Sequence, residues 1–165
     1  MIRRSTRRFA AILVATTGIA SASPTFAESS AIRTIGDWQL RCETAPARAC
    51  ALVQSVVDEA RTKVRLSIVA LKTTDRTSIL RVVTPLGVLL PSGVGLRIDQ
   101  TEMGEAAFLR CMPSGCVAEI EMTADQIARL SAGTTATFTL MQTPAEGVAI
   151  PIGLKGFREG FAALP

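Results

Sequence analysis

Apolar residues recur at every second position through much of this chain. Trp38, Leu40 and Cys42 alternate with Asp37, Gln39 and Arg41. Val64, Leu66, Ile68 and Ala70 alternate with Lys63, Arg65 and Ser67, and Leu80 and Val82 bracket Arg81. The same period runs through Val94, Leu96 and Ile98, through Cys116, Ala118, Ile120 and Met122, and through Ala136, Phe138 and Leu140. Successive strand side chains point to opposite faces, so each stretch predicts a strand with one buried and one wet face. Turn residues separate the stretches: Asp58-Glu59, Thr73-Thr74-Asp75-Arg76, Pro91-Ser92-Gly93 and Thr143 to Gly147. The expected fold is mainly β, an antiparallel β-sandwich.

Two segments leave the period of two. Thr123-Ala124-Asp125-Gln126 has the spacing of a capping box, Ile127 and Leu130 supply an apolar stripe, and Gly133 can end the helix. Near the carboxyl end, Phe157, Phe161 and Leu164 recur at helical spacing behind Gly156. They predict a last turn or two that packs an aromatic edge on the sandwich. One or two short helices are therefore expected.

The amino-terminal residues have a different character. Arg3, Arg4, Arg7 and Arg8 precede an apolar run from Phe9 to Ala22, and Ser23 to Ala27 ends in a small residue. That is the layout of a cleavable secretory signal, and the run is too short to span a bilayer. The expected cut falls between Ala27 and Glu28, giving a leader of residues 1–27 and one domain of residues 28–165. Removing the leader changes the charge argument. Of 18 basic residues, the leader's four leave 14 against 14 acidic ones. The +4 of the whole chain thus belongs to the leader, and nucleic acid is not an expected partner. No later segment reaches membrane-spanning length.

All four cysteines, Cys42, Cys50, Cys111 and Cys116, follow the leader. An even count behind an export signal reads as disulfides. Cys111 and Cys116 flank Met112-Pro113-Ser114-Gly115, a four-residue tip suited to a type I turn. Residues facing each other across such a hairpin come within disulfide reach. Cys111–Cys116 is therefore expected, which leaves Cys42–Cys50. Each short loop contributes about 2–3 kcal/mol in the chain-entropy picture. A four-thiolate zinc site is the rival, but seven residues separate Cys42 from Cys50, unlike a zinc knuckle. A redox pair would call for C-x-x-C spacing, which neither pair has.

Several short words complete the reading: Trp38-x-x-x-Cys42, Cys50-x-x-x-Gln54, Thr84-Pro85-Leu86-Gly87-Val88, and Gly93-Val94 leading to Leu96-x-Ile98-Asp99. Phe108-x-x-Cys111, Gly115-Cys116 and Pro151-x-Gly153-Leu154-x-Gly156-Phe157 follow in order. Across about residues 36 to 164 this series resembles the invasion-associated locus B family of exported bacterial proteins. The resemblance implies an immunoglobulin-like sandwich with paired cysteines, periplasmic or exposed on the envelope. The family is named for a part in host-cell entry, a phenotype that need not extend to every member. The resemblance carries over no catalytic residue. It leaves Pro85, Gly87, Pro91 and Gly93 as turn formers, and Trp38 as core beside a disulfide.

The chain has no histidine, so imidazole-based triads and imidazole metal sites are excluded. The acidic residues Asp99, Glu102, Glu105, Glu119 and Glu121 form the best carboxylate group. Glu119 and Glu121 share a strand face about 7 Å apart, in reach of paired-carboxylate hydrolysis. A solvated strand face is the simpler expectation. Arg61, Lys63, Arg65, Lys72, Arg76 and Arg81 crowd the second quarter, and Arg65 and Arg81 could meet across adjacent strands as an exposed basic stripe. The glycines Gly87, Gly93 and Gly95 lack the strand-turn-helix context of a phosphate loop.

These readings converge on an exported interaction protein without catalysis or cofactor, whose partner is an envelope or host-surface protein. A carboxylate-based hydrolase and a periplasmic chaperone or inhibitor are the alternatives. The expected contact elements are the hairpin tip (Met112, Pro113, Ser114) and the Leu86–Pro91 segment, where Leu89 and Leu90 form an apolar pair. Core burial is the simpler expectation for that pair. No oligomeric state follows from the pattern. Intact-mass analysis of the product from its native host should give residues 28–165 with no free thiol. A retained leader, or four thiols open to alkylation, would contradict the reading.

Overall fold

The computed structural model describes residues 31–43, 49–58, 64–73 and 77–165. The leader, the expected Ala27–Glu28 cut, Glu59, Arg61, Lys63, Thr74, Asp75 and Arg76 lie outside the described residues. In chain order the strands are β1 (Ala31–Ile35), β2 (Trp38–Cys42), β3 (Cys50–Asp58), β4 (Val64–Lys72), β5 (Ser78–Thr84), β6 (Val94–Ile98), β7 (Thr101–Ala106), β8 (Phe108–Met112) and β9 (Gly115–Glu121). The helix α1 (Ala124–Ala132), strands β10 (Thr135–Thr143) and β11 (Glu146–Gly153), and helix α2 (Phe157–Ala162) follow. Among the described residues they form two antiparallel sheets. One is seven-stranded, in the order β1-β2-β3-β4-β5-β9-β8, and the other four-stranded, β11-β10-β6-β7.

The inner faces of the sheets share one core, and the period of two supplies it. Leu66, Ile68 and Ala70 of β4 are buried with Leu80 and Val82 of β5, and Phe138 and Leu140 of β10 meet them from the second sheet. The alternation does not mark β1, β3, β7, β8 or β11, and three of these have plain physical causes. β3 carries apolar residues on both faces (Ala51, Leu52, Val53, then Val56 and Val57), so no alternation marks it. β7 is short and polar. β11 contains Pro151, which a strand tolerates at a sheet edge, where its missing N–H breaks no ladder.

The outer face of the large sheet is also less wet than the alternation implies. Val53, Val69, Leu71, Ile79 and Val83 are half-buried there, and Val117 is fully buried between its register neighbours Val83 and Arg110.

The helices close the sandwich. Thr123 Oγ1 accepts from the Gln126 N–H at 3.2 Å and Gln126 Oε1 accepts from the Thr123 N–H at 2.9 Å, a complete capping box, and Gly133 is the C-cap. In α2, Phe157 meets Trp38 edge-on at 5.2 Å and stacks on Phe161 at 5.5 Å. Trp38 Nε1–H donates to the Gly153 carbonyl at 3.1 Å. Trp38 is therefore core, but not beside a disulfide, as expected: Cys42 lies four residues along β2, roughly 13 Å away. Gly156, at φ 90°, makes the tight entry to α2, where a Cβ would strike the Ile35 carbonyl. Lys72 extends over the Phe161 ring and donates to the Leu164 carbonyl at 2.9 Å.

Removing the Phe157 ring leaves a cavity against Trp38, so Phe157→Ala should cost about 3–5 kcal/mol in chemical denaturation. Thr123→Ala, which loses one cap, should cost about 1 kcal/mol. Equal costs for the two would contradict the assigned roles.

Candidate functional site

Strand register sets the two disulfides at opposite ends of the large sheet. Cys42 and Cys50 face each other where β2 meets β3, level with the end of β4 and the start of β5. Cys111 and Cys116 join β8 to β9 at the other end, level with Thr84. The hairpin tip is tighter than the expected four residues. Met112 pairs with Gly115, so only Pro113 and Ser114 make the turn. Gly115 permits this: its φ is 140°, and a Cβ would strike the Thr84 carbonyl oxygen, so only glycine lets β9 start flush against β5.

Thr84 links the hairpin to the next loop. It is buried, and its hydroxyl lies 3.3 Å from both the Cys116 and the Pro85 carbonyl oxygens. That contact sets Pro85 and Leu86 beside the tip. Together with Arg65, Ser67 and Val83 on the outer sheet face, Pro85, Leu86, Pro113 and Ser114 line a cleft of about 320 Å³. Leu86 is 57% exposed at its rim, and Met112 and Val57 are exposed at the same end of the sheet. Ser67 Oγ lies 2.8 Å from Ser55 Oγ. Among the described residues the lining thus offers apolar surface, hydroxyls and one guanidinium, with no carboxylate or other general base.

Of the expected contact residues, Pro113 and Ser114 line this cleft; Met112, Leu89 and Leu90 do not. The expected burial of the leucine pair holds only in part. Leu89 is half-buried, with its N–H donating to the Met141 carbonyl at 2.7 Å, but Leu90 is 47% exposed, lifted by the 3-10 turn of Leu90–Ser92. Arg65, Val83 and Thr84 were not singled out as contact residues. They lie on three separate rungs, and only the register of β4, β5 and β9 brings them to one place.

The other expected clusters come apart. Glu119 faces Arg81 across β9 and β5 and binds it at 2.5 Å, so Arg81 meets a carboxylate, not Arg65. Glu119 is thus engaged by Arg81, and Glu121 is exposed at the strand end. Asp99, at φ 49°, uses its carboxylate to accept from the Thr134 and Thr135 N–H groups at 3.0–3.2 Å. Glu102 and Glu105 belong to the other sheet. Among the described residues no group of three or more acidic or cysteine side chains is placed to hold a metal ion, and no helix is long and apolar enough to cross a membrane.

Comparison with known proteins agrees with this architecture. A crystal structure of invasion associated protein B from Bartonella henselae superposes with a TM-score of 0.69, covering 81% of this chain and 94% of that one. At 21% identity the likeness is one of fold. Invasion protein B homologs of Brucella abortus, strain 2308 and biovar 1 strain 9-941, are each 30% identical over 126 residues, which is 75% of this chain and 73% of theirs. The model of the Invasion associated locus B (IalB) protein family matches residues 38–165, from the buried Trp38 through both disulfides to the closing helix, and the chain belongs to that family.

Proposed function

We propose that this chain is an exported, non-catalytic docking protein of the bacterial envelope. It engages a protein partner at the Cys111–Cys116 end of the large sheet. One observation carries the reading: a disulfide-closed turn and the Pro85-Leu86 loop, tied together by Thr84, hold exposed apolar side chains around an open cleft. A preorganised apolar patch loses little entropy on binding, which is what a docking surface requires. Loops anchored to a rigid scaffold are the usual place for such contacts.

The leader-like amino terminus and the two disulfides support export into an oxidising compartment. In an invasive organism the partner would lie on the host surface. Otherwise it would be another envelope protein. The hydrolase alternative loses its basis with Glu119 bound to Arg81. A chaperone or inhibitor role differs in the range of its partners.

A photo-crosslinking amino acid at Ser114, activated in intact cells, should give one or two discrete adducts. The same residue at Thr139, exposed on the outer face of the small sheet, should give none. Equal adducts from both positions, or none from Ser114, would overturn the docking site. A broad smear of clients would mark a chaperone instead.

A further inference from the structure

The large sheet ends in an open strand. Among the described residues β8 pairs only with β9, and four of its five residues are exposed. Exposed edges invite pairing with other chains, and proteins usually block them. β11 is interrupted by Pro151, while β7 carries the exposed acids Glu102 and Glu105 and a register shift. β1 starts where the described residues begin. β8 has neither proline nor acid; its bulge lies between Phe108 and Arg110, which leaves Arg110 to Met112 regular.

The backbone of that regular stretch faces outward. The two-residue turn makes Met112 and Gly115 the closing, hydrogen-bonded pair, so the next pair, Cys111 and Cys116, is of the non-hydrogen-bonded kind. Their Cα separation of 3.9 Å belongs to that closer class. Cys111 therefore directs both its N–H and its C=O away from β9, toward the free edge. Among the described residues no loop or turn bonds to the β8 backbone there. Leu109, at the bulge, is 63% exposed, the most exposed large apolar side chain among the described residues.

We infer that β8 is a strand-addition site: an extended segment of a partner protein hydrogen-bonds to Cys111, with a carboxylate side chain opposite Arg110 and an aliphatic one opposite Met112. The inference deepens the proposed docking role and rests on it. Charge selects the partner. Arg110 is exposed and has no ion pair among the described residues; Glu119 is held by Arg81, and Glu102 lies near Arg97. Charge also disfavours a second copy of this chain. Antiparallel pairing of two β8 strands about Cys111 would bring the two Arg110 side chains to diagonal positions on one face, about 7–8 Å apart. An acidic segment gains where a copy of the chain repels.

The test uses the disulfide-bonded chain of residues 28–165 and a labelled eight-residue peptide, Thr-Glu-Thr-Val-Thr-Glu-Thr-Val, whose one face alternates glutamate and valine to meet Arg110 and Met112. Fluorescence anisotropy should show saturable binding, and hydrogen exchange should slow at the Cys111 amide. Arg110→Glu should weaken binding about tenfold or more, whereas Arg41→Glu, at the far end of the sheet, should leave it within about twofold. N-methylating alternate peptide amides, which removes strand hydrogen bonds but keeps the charge, should abolish binding. Equal binding of the same peptide with lysine in place of glutamate, tolerance of N-methylation, or no binding at millimolar peptide would overturn the inference. So would a dimer in sedimentation that forms through β8. If the peptide fails while Ser114 still crosslinks a discrete partner, strand addition falls and the docking role stands.

Discussion

The Cys111–Cys116 bond is the constraint on which the proposed docking end of this molecule depends. β8 contributes little to the core: only Phe108 is half-buried, and among the described residues the strand has a neighbour on one side alone. An edge strand held by so few apolar contacts opens locally at low cost. The bridge, the two-residue turn and Gly115 supply what packing does not. They keep β8 in register and hold Pro113 and Ser114 against Pro85 and Leu86. Release of that bond would free both the cleft wall and the open edge without touching the core.

The remainder of the fold is built so that this can be true. At the opposite end the second disulfide closes β2 on β3, and the aromatic group of Trp38, Phe157 and Phe161 seals the sandwich. The last helix is locked there by the Trp38 hydrogen bond to Gly153 and by Lys72 over Phe161. Val57, Leu86 and Met112 are exposed at the other end, and Ile32 is exposed on β1 near Cys42.

The parts of the structure legible in the sequence are those governed by local rules. Alternation marked β2, β4, β6, β9 and β10 because each has one core-facing side. The capping box marked α1 because its partners are three residues apart. Sequence spacing also suggested both disulfides, since each bridge closes a short hairpin. Where residues act across strands, the pattern was silent. It could not show that Arg81 would meet Glu119 instead of Arg65, because that depends on β5 pairing with β9 across an intervening 3-10 turn and three further strands. The cleft was half visible: Pro113 and Ser114 announced a turn, but Arg65, Val83 and Thr84 join them only through register. The outer face of the large sheet misled most, since Val69 and Leu71 continue a strand whose first residues there, Arg65 and Ser67, are polar.

Hydrogen exchange on the oxidised chain and on the Cys111→Ser/Cys116→Ser variant tests the central claim most directly. The account predicts that protection collapses at the amides β8 donates to β9 and at the start of β9, while Leu66, Ile68 and Phe138 keep theirs. Unchanged protection at β8 would contradict it, because the strand would then be held by packing and not by the sulfur bond.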